Sequence, residues 1–295
     1  MSIEERPRPV VTDPKDVILR ITATTICGSD LHMYYNKVPA VKAMRDGDIL
    51  GHEFMGVIEE VGPEVKNFKV GDRVVSSFEI NCGDCEYCQK KMPTLCQRTN
   101  PSTQMSVLYG QRIAGAFGYS HVTGGYAGGQ AEYIRRPFAD TGLLKVPDSL
   151  KDEQVLLLSD VLCTGYHGTW CARLQPSDTV CLWGLGPVGL AAAYLAIKVI
   201  GVKRIICIDN VPYRLKLAES FGAETLNFDE HTDVVSEIFK RIPDGPDACI
   251  DAAGYRFPKN LAHKVMLKTQ AETDSSEILQ EMCKVVKNNG RIGIG

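Results

Sequence analysis

No stretch of this chain is apolar enough for long enough to span a bilayer. The longest such run, Leu185 to Gly201, carries Lys198 and opens on Gly186, Pro187 and Gly189, so it reads as a buried helix. Export is not expected either: where a signal would need an apolar core, the chain places Glu4, Glu5, Arg6, Pro7 and Pro9. Charge of one sign is also scarce, since 33 Lys and Arg against 36 Asp and Glu leave a formal −3. That balance supplies no field for a phosphate backbone. Nucleic acid and membrane are therefore not expected as partners, and a cytoplasmic setting is. Internal repeats and low-complexity tracts are absent. What remains is an ordinary globular composition, 44% apolar and 23% charged over 295 residues, long for one core and comfortable for two lobes.

Cysteine, by contrast, is plentiful. Four of the eleven, Cys82, Cys85, Cys88 and Cys96, form a C-x2-C-x2-C-x7-C run within fifteen residues, with Gly83, Asp84 and Pro93 among them. Four thiolates converging from one short loop suit a tetrahedral structural zinc. Two disulfides are the alternative, and they fit a cytosolic chain poorly. Cys181, Cys207 and Cys249 fall in strand-like apolar runs and Cys171 and Cys283 in expected helices, where core packing is the expected role.

From Val17 to about Val75 the text is strand-like and broken by Gly51, Gly56, Gly62 and Gly71, which suggests a curled, mostly antiparallel β body. The stretches GGYAGGQAEYIRRP and LLKVPDSL continue it. From Thr179 the rhythm becomes strand, glycine turn, helix: TVCLWG, LAAAYLAIKVIG, RIICID, PYRLKLAESFG, ETLNF. A helix over roughly 231–241 leads to DACIDA, and one over about 275–287 leads to RIGIG. Such alternation implies a parallel sheet covered by helices. The expected class is α/β. Residues 1–165 form the first domain, with a zinc lobe at about 80–98, and 166–295 the second.

Gly184, Gly186 and Gly189 spell G-x-G-x-x-G directly after TVCLW and at the head of the alanine-rich helix, with Pro187 and Val188 between the last two. In that position the glycines make a tight turn, admit a pyrophosphate and pack helix on strand. Asp209 closes the next strand, twenty residues after Gly189. Its carboxylate suits two ribose hydroxyls and would repel a 2′-phosphate. At about 4 Å and an effective dielectric of about 20 that repulsion is about 4 kcal/mol per unit charge, roughly a thousandfold preference. The expected cofactor is NAD rather than NADP. Arg214 is placed either to lie over the adenine or to stand as a solvated helix arginine.

A second metal is suggested by Cys27-Gly28-Ser29-Asp30-Leu31-His32 and by Gly51-His52-Glu53. Taken singly, Cys27 and His52 read as core residues. Their company argues otherwise: a hydroxyl two residues after the cysteine, a glycine clearing space before the histidine, and a nucleotide turn downstream. A catalytic zinc keeps three protein ligands and an open place, so a third ligand is required.

These residues resemble the zinc-containing medium-chain alcohol dehydrogenases, most closely the glutathione-independent formaldehyde dehydrogenase branch. The likeness runs from about Pro14 to Gly295 through CGSDLH, GHEFMG, the cysteine lobe, GGYAGGQAEY, LLLSD, TGYHG and GLGPVG. It implies a GroES-like catalytic domain followed by a Rossmann doubly wound parallel sheet. It also implies a catalytic zinc held by Cys27, His52 and Asp160, with Cys163 as an alternative ligand. A carboxylate is a weaker donor than the thiolate of a two-cysteine site, which leaves a stronger Lewis acid. The implied chemistry is hydride transfer from a small alcohol or hydrated aldehyde to NAD. Ser29 passes the proton outward, His32 is either the terminal base or an exposed loop histidine, Glu53 tunes ligation, and Thr164 lies near the nicotinamide.

Members of the family begin with an additional strand and continue for roughly a further quarter of the chain. RIGIG is expected as the fifth strand of the nucleotide sheet, with an unpaired edge. Relatives assemble as homo-oligomers; for this chain alone, poor solubility or altered assembly is expected. The alternatives are a polyol or threonine dehydrogenase of the same superfamily, and a non-catalytic protein that holds zinc and NAD. A zinc-lobe module for nucleic acid fits the cysteines but not the charge or the glycine turn.

Overall fold

The structure, a computed structural model, describes residues 2–35, 44–231, 233–254 and 275–295. It divides into two compact units, Met1–Asp160 and Val161–Gly295. Helix Val161–Cys171 lies whole within the second unit.

The first unit holds strands β1 (Val17–Thr24), β2 (Phe54–Val61), β3 (Arg73–Ser76), β4 (Glu79–Ile80), β5 (Gly115–Ala116), β6 (Tyr133–Arg136) and β7 (Leu143–Lys145). Five of them form an antiparallel sheet in the order β6-β1-β2-β3-β7, and β4 pairs with β5. VILRITAT is rich in β-branched residues and buries alternate positions toward its end, as a half-covered strand requires. Register breaks between Ile18 and Leu19 and between Ile21 and Ala23 bend β1 over β2 and supply the curl. Inside lie Leu19, Phe54, Ile58, Val74 and Phe117, with the Phe54 and Phe117 rings edge to face at 5.2 Å.

The second unit is a five-stranded parallel sheet of β8 (Thr179–Trp183), β9 (Arg204–Asp209), β10 (Glu224–Asn227), β11 (Ala248–Asp251) and β12 (Arg291–Ile294), in the order β10-β9-β8-β11-β12. The period-two pattern splits each strand between two cores. Val180, Leu182, Ile205 and Cys207 face Ala192, Ala196, Leu215 and Ala218. Cys181, Trp183, Ile206 and Ile208 face Val234, Ile238, Met282 and Val285. A parallel sheet covered on both faces explains why its strands read as continuous apolar runs. The order reverses between β8 and β11, which makes the carboxyl ends of these strands a switch point.

Two expectations need correction. The run Leu185 to Gly201 is helix Pro187–Tyr194 followed by a π-helical turn Leu195–Ile200, and it is not buried all round. It covers one sheet face with Ala192, Ala193 and Ala196 and leaves Tyr194 and Val199 exposed. Cys171 and Cys283 are not core residues. Cys171 is half-buried and hydrogen-bonded to His167 at 3.3 Å, and Cys283 is exposed on helix Glu277–Val285, whose buried side carries Met282 and Val285. Cys181, Cys207 and Cys249 are fully buried. Among the described residues, no helix is long and apolar enough to cross a membrane.

Candidate metal centres and nucleotide turn

In the cysteine lobe Cys85 caps the short helix Glu86–Gln89, which turns Cys88 back toward its partners. The Sγ–Sγ separations are 3.4 Å for Cys85 and Cys88 and 3.9 Å for both Cys82–Cys88 and Cys85–Cys96. Four sulfurs about 2.3 Å from one tetrahedral ion stand about 3.8 Å apart, whereas a disulfide requires about 2.05 Å. The lobe therefore has the spacing of a metal cage, and all four thiols are unbridged. Burial and neighbouring Asp84 push the Cys82 thiol up. At Cys85 burial is outweighed by the backbone N–H groups of Cys88 and Gln97, which bring it down to about 6. A thiolate is thus available where a cation would bind.

The second cluster gathers Cys27, His52, Glu53 and Asp160, each offering an atom within 4.8 Å of the others. Cys27 precedes helix Gly28–Tyr34, and its N–H donates to Asp30 Oδ2 at 2.8 Å. The other Asp30 oxygen accepts from Gly51 N–H at 3.3 Å, so one buried carboxylate ties the cysteine segment to the histidine segment. Gly51 itself has φ +95°, and a Cβ there would lie 2.8 Å from the Gln130 backbone nitrogen. Only glycine suits that bend. His52 is fully buried: its Nε2 stands 3.2 Å from Asp160 Oδ2 and 3.9 Å from Glu53 Oε1, while Nδ1 makes no hydrogen bond and lies 3.5 Å from Asp30. Glu53 is anchored by the Thr25 hydroxyl and, through its carbonyl, by Thr24 at 2.8 Å. Asp160 ends the 3-10 turn Leu156–Ser159.

Burial opposes charging His52, yet Asp160, Asp30 and Cys27 outweigh it and raise its pKa to about 12. The cluster thus holds a proton in a place shaped for a cation. Thiolate, imidazole and carboxylate together are donors that zinc accepts, so the residues fit the ion.

Two residues of this site carried no sequence signal of their own. Asp30 was hidden inside CGSDLH, and Tyr119 sits in an irregular stretch between β5 and β6. The Tyr119 hydroxyl lies 3.5 Å from His52 Nε2, its ring centroid is 4.7 Å from the imidazole, and Ser29 lies near it. Burial pushes this phenol up to about 12. Glu79, on β4, is half-buried, and burial reinforced by the charge of Asp160 pushes its carboxyl up to about 7. His32 is half-buried on helix Gly28–Tyr34 and outside the four-residue cluster. Cys163 is exposed and Thr164 half-buried on helix Val161–Cys171, in the other unit.

In the second unit β8 runs into Gly184, at φ +85°, and Gly186 caps helix Pro187–Tyr194 with Pro187 in its first turn. A Cβ on Gly189 would lie 1.9 Å from the Gly184 carbonyl oxygen, so helix and turn touch through glycine alone. A Cβ on Gly186 would meet nothing within 4 Å. That open cradle at a helix N-terminus fits a phosphate group. Val188 is half-buried behind it. Asp209 is 5% exposed, and its carboxylate accepts from Leu185 N–H at 2.6 Å, Asn210 N–H at 2.8 Å and Val211 N–H at 2.9 Å. It stitches the glycine turn to the end of β9, a structural duty the motif alone did not disclose. Arg214 Nη1 stands 3.9 Å from it.

Comparison with known proteins gives two family matches: the alcohol dehydrogenase GroES-like domain over residues 13–148 and the zinc-binding dehydrogenase domain over residues 187–267. The chain is 40% identical to a zinc-type alcohol dehydrogenase-like protein of Schizosaccharomyces pombe, over 100% of its own length and 69% of that protein. It is 34% identical to the glutathione-independent formaldehyde dehydrogenase of Pseudomonas aeruginosa, over 100% of its own length and 71% of that protein. Among solved structures, alcohol dehydrogenase TADH from Thermus sp. ATN1 superimposes with a TM-score of 0.81 at 32% identity, covering 99% of this chain and 72% of that one.

Proposed function

The chain belongs to the zinc-containing medium-chain alcohol dehydrogenase family, and from that premise we propose that it oxidises a small primary alcohol or hydrated aldehyde, formaldehyde-like in size, with NAD as acceptor. The observation that carries this reading is the meeting of Cys27, His52, Glu53 and Asp160 within 4.8 Å around a fully buried imidazole. Cys27, His52 and Asp160 would hold the catalytic zinc, and Cys82, Cys85, Cys88 and Cys96 the structural one. Zinc bound at the first site supplies a Lewis acid that lowers an alcohol's pKa toward neutrality, and NAD supplies the hydride acceptor.

The rest of the work falls to the chain's own groups. Asp30 holds the Cys27 and Gly51 segments in register, which aims His52 Nε2 and the thiol at one point. Glu53, pinned by Thr25, adds negative charge beside His52 without leaving its place. Ser29 takes the proton of the substrate hydroxyl and releases its own toward solvent, with His32 on the same helix as the outer base. Phe78 and Tyr119 flank the imidazole at 6.2 and 4.7 Å, and these two rings favour a substrate of few carbons. In the second unit Gly186 and the helix after it receive the pyrophosphate, while Asp209 favours NAD over a 2′-phosphorylated dinucleotide. Unbridged thiols suit a cytoplasmic setting, which is part of the proposal.

Metal analysis combined with NADH formation across small primary alcohols and hydrated formaldehyde tests this reading. Two zincs per chain with NADH appearing supports it. Two zincs with no NADH from any of these compounds would leave a zinc- and NAD-holding protein without the proposed chemistry.

A further inference from the structure

We infer that Tyr119 is a catalytic residue whose hydroxyl donates a hydrogen bond to the reacting oxygen of the substrate and so holds it against Ser29. This deepens the oxidoreductase reading and rests on it. Two contacts place the phenol, and Ser29 lies near it. Its oxygen lies 3.5 Å from His52 Nε2, and its ring leans on the imidazole at 4.7 Å with 43° between the planes. It is also held from both sides along the backbone. The Gly118 N–H donates to the Tyr126 carbonyl at 3.0 Å, and buried Ser120 accepts at its carbonyl from the Thr123 N–H at 3.0 Å and hydroxyl at 2.9 Å. A ring fixed in this way is suited to orienting a ligand rather than adapting to one.

The chemistry follows from counting lone pairs. A charged imidazole has no lone pair to offer and a neutral one spends its only lone pair on an ion, so in the metal-holding form His52 Nε2 can neither donate to the Tyr119 oxygen nor accept from it. Tyr119 then lacks its imidazole partner while its ring stays against the same side chain. Its O–H then needs a new acceptor in a confined place, since an unpaired buried donor is unfavourable. The oxygen of an alcohol lying next to Ser29 meets that need, and the phenol fixes its orientation on the side opposite the Ser29 hydroxyl that takes the proton. The same pairing disfavours substrates that present only carbon at this point, because the phenol would stay unsatisfied.

The test is Tyr119→Phe, which keeps the ring against His52 and removes only the oxygen. Zinc content should remain at two per chain. Trifluoroethanol, used as a non-reacting alcohol and titrated by calorimetry into zinc-loaded, NAD-saturated protein, should bind roughly tenfold more weakly than to wild type. Turnover of a small primary alcohol should fall by about 10- to 100-fold, mainly in kcat. Wild-type trifluoroethanol affinity in the variant would overturn the inference. Loss of one zinc would also overturn it, by assigning the hydroxyl to retention of the metal. Calorimetry reads the contact whether or not wild type turns over, so failure of the proposed activity is distinguishable from failure of this assignment.

Discussion

Replacing Asp30 by Asn is expected to empty one zinc site and leave the other filled. Asp30 is 1% exposed and accepts from Cys27 N–H at 2.8 Å and from Gly51 N–H at 3.3 Å, with His52 Nδ1 3.5 Å away. An amide offers one acceptor oxygen in place of two and turns its NH2 against an N–H donor. One charge-assisted hydrogen bond is lost, about 1.5–3 kcal/mol. The loss falls on the metal-holding form. In the zinc-free form, removing a negative charge from a crowded acidic cluster offsets part of it. Outer-shell substitutions of this kind weaken metal binding by about 10- to 100-fold, or about 1.4–2.7 kcal/mol, in line with the loss of one such bond. Competition with a graded series of chelator concentrations, followed by atomic emission, reads the outcome. Wild type should hold two zincs until the chelator is strong. Asp30→Asn should drop to one at a chelator level roughly 10- to 100-fold lower, the remaining ion staying in the cysteine lobe. Retention of both ions along the wild-type curve would refute the tie between Asp30 and the site.

Further outcomes follow from the same geometry. The Glu79 carboxyl sits at about 7 against an ordinary 4.5, so its contribution to stability is full below about pH 4.5 and is lost as pH rises through about 7. At about 1.4 kcal/mol per pH unit the ionised form costs up to about 3 kcal/mol, and Glu79→Gln should stabilise the zinc-free protein by about 1–3 kcal/mol at pH 8 with little effect at pH 4.5 in denaturant titrations; equal effects at both pH values would contradict this. Ser29→Ala should slow alcohol oxidation by about 100-fold while zinc content and NAD affinity stay at wild-type levels, and unchanged turnover would remove Ser29 from the mechanism. Gly186→Ala places its methyl in open space and should leave the melting temperature unchanged while weakening NAD binding; wild-type NAD affinity in that variant would dismiss the phosphate cradle. Gly189→Ala, whose Cβ would meet the Gly184 carbonyl at 1.9 Å, should instead destabilise the second unit by about 1–3 kcal/mol or more in thermal unfolding.

Legibility differed between the two units for physical reasons. In the second, βα alternation and strands buried on both faces mark each element, so TVCLW, RIICID and RIGI appear as strands within a residue of their observed limits. In the first, helix Gly28–Tyr34 has seven residues and no apolar stripe, and its start is set by the Asp30 contact with Cys27 rather than by periodicity. Helix Thr103–Tyr109 was equally silent. The cysteine lobe was readable because its four ligands are local. Cys27 and His52 were joined by the residues around them, but Asp160 lies too far along the chain for spacing to add it, and only family resemblance did so. Tyr119 reaches His52 through the path of a glycine-bounded loop, which leaves no residue pattern to recognise.

X-ray absorption at the zinc edge, with metal counted on the same sample, tests the central claim most directly. Two zincs per chain, one in four sulfurs and one in a single sulfur with nitrogen and oxygen, average to about two and a half sulfurs at about 2.3 Å per ion. One zinc per chain in an all-sulfur shell would show that only the cysteine lobe binds metal and that Cys27, His52 and Asp160 do not.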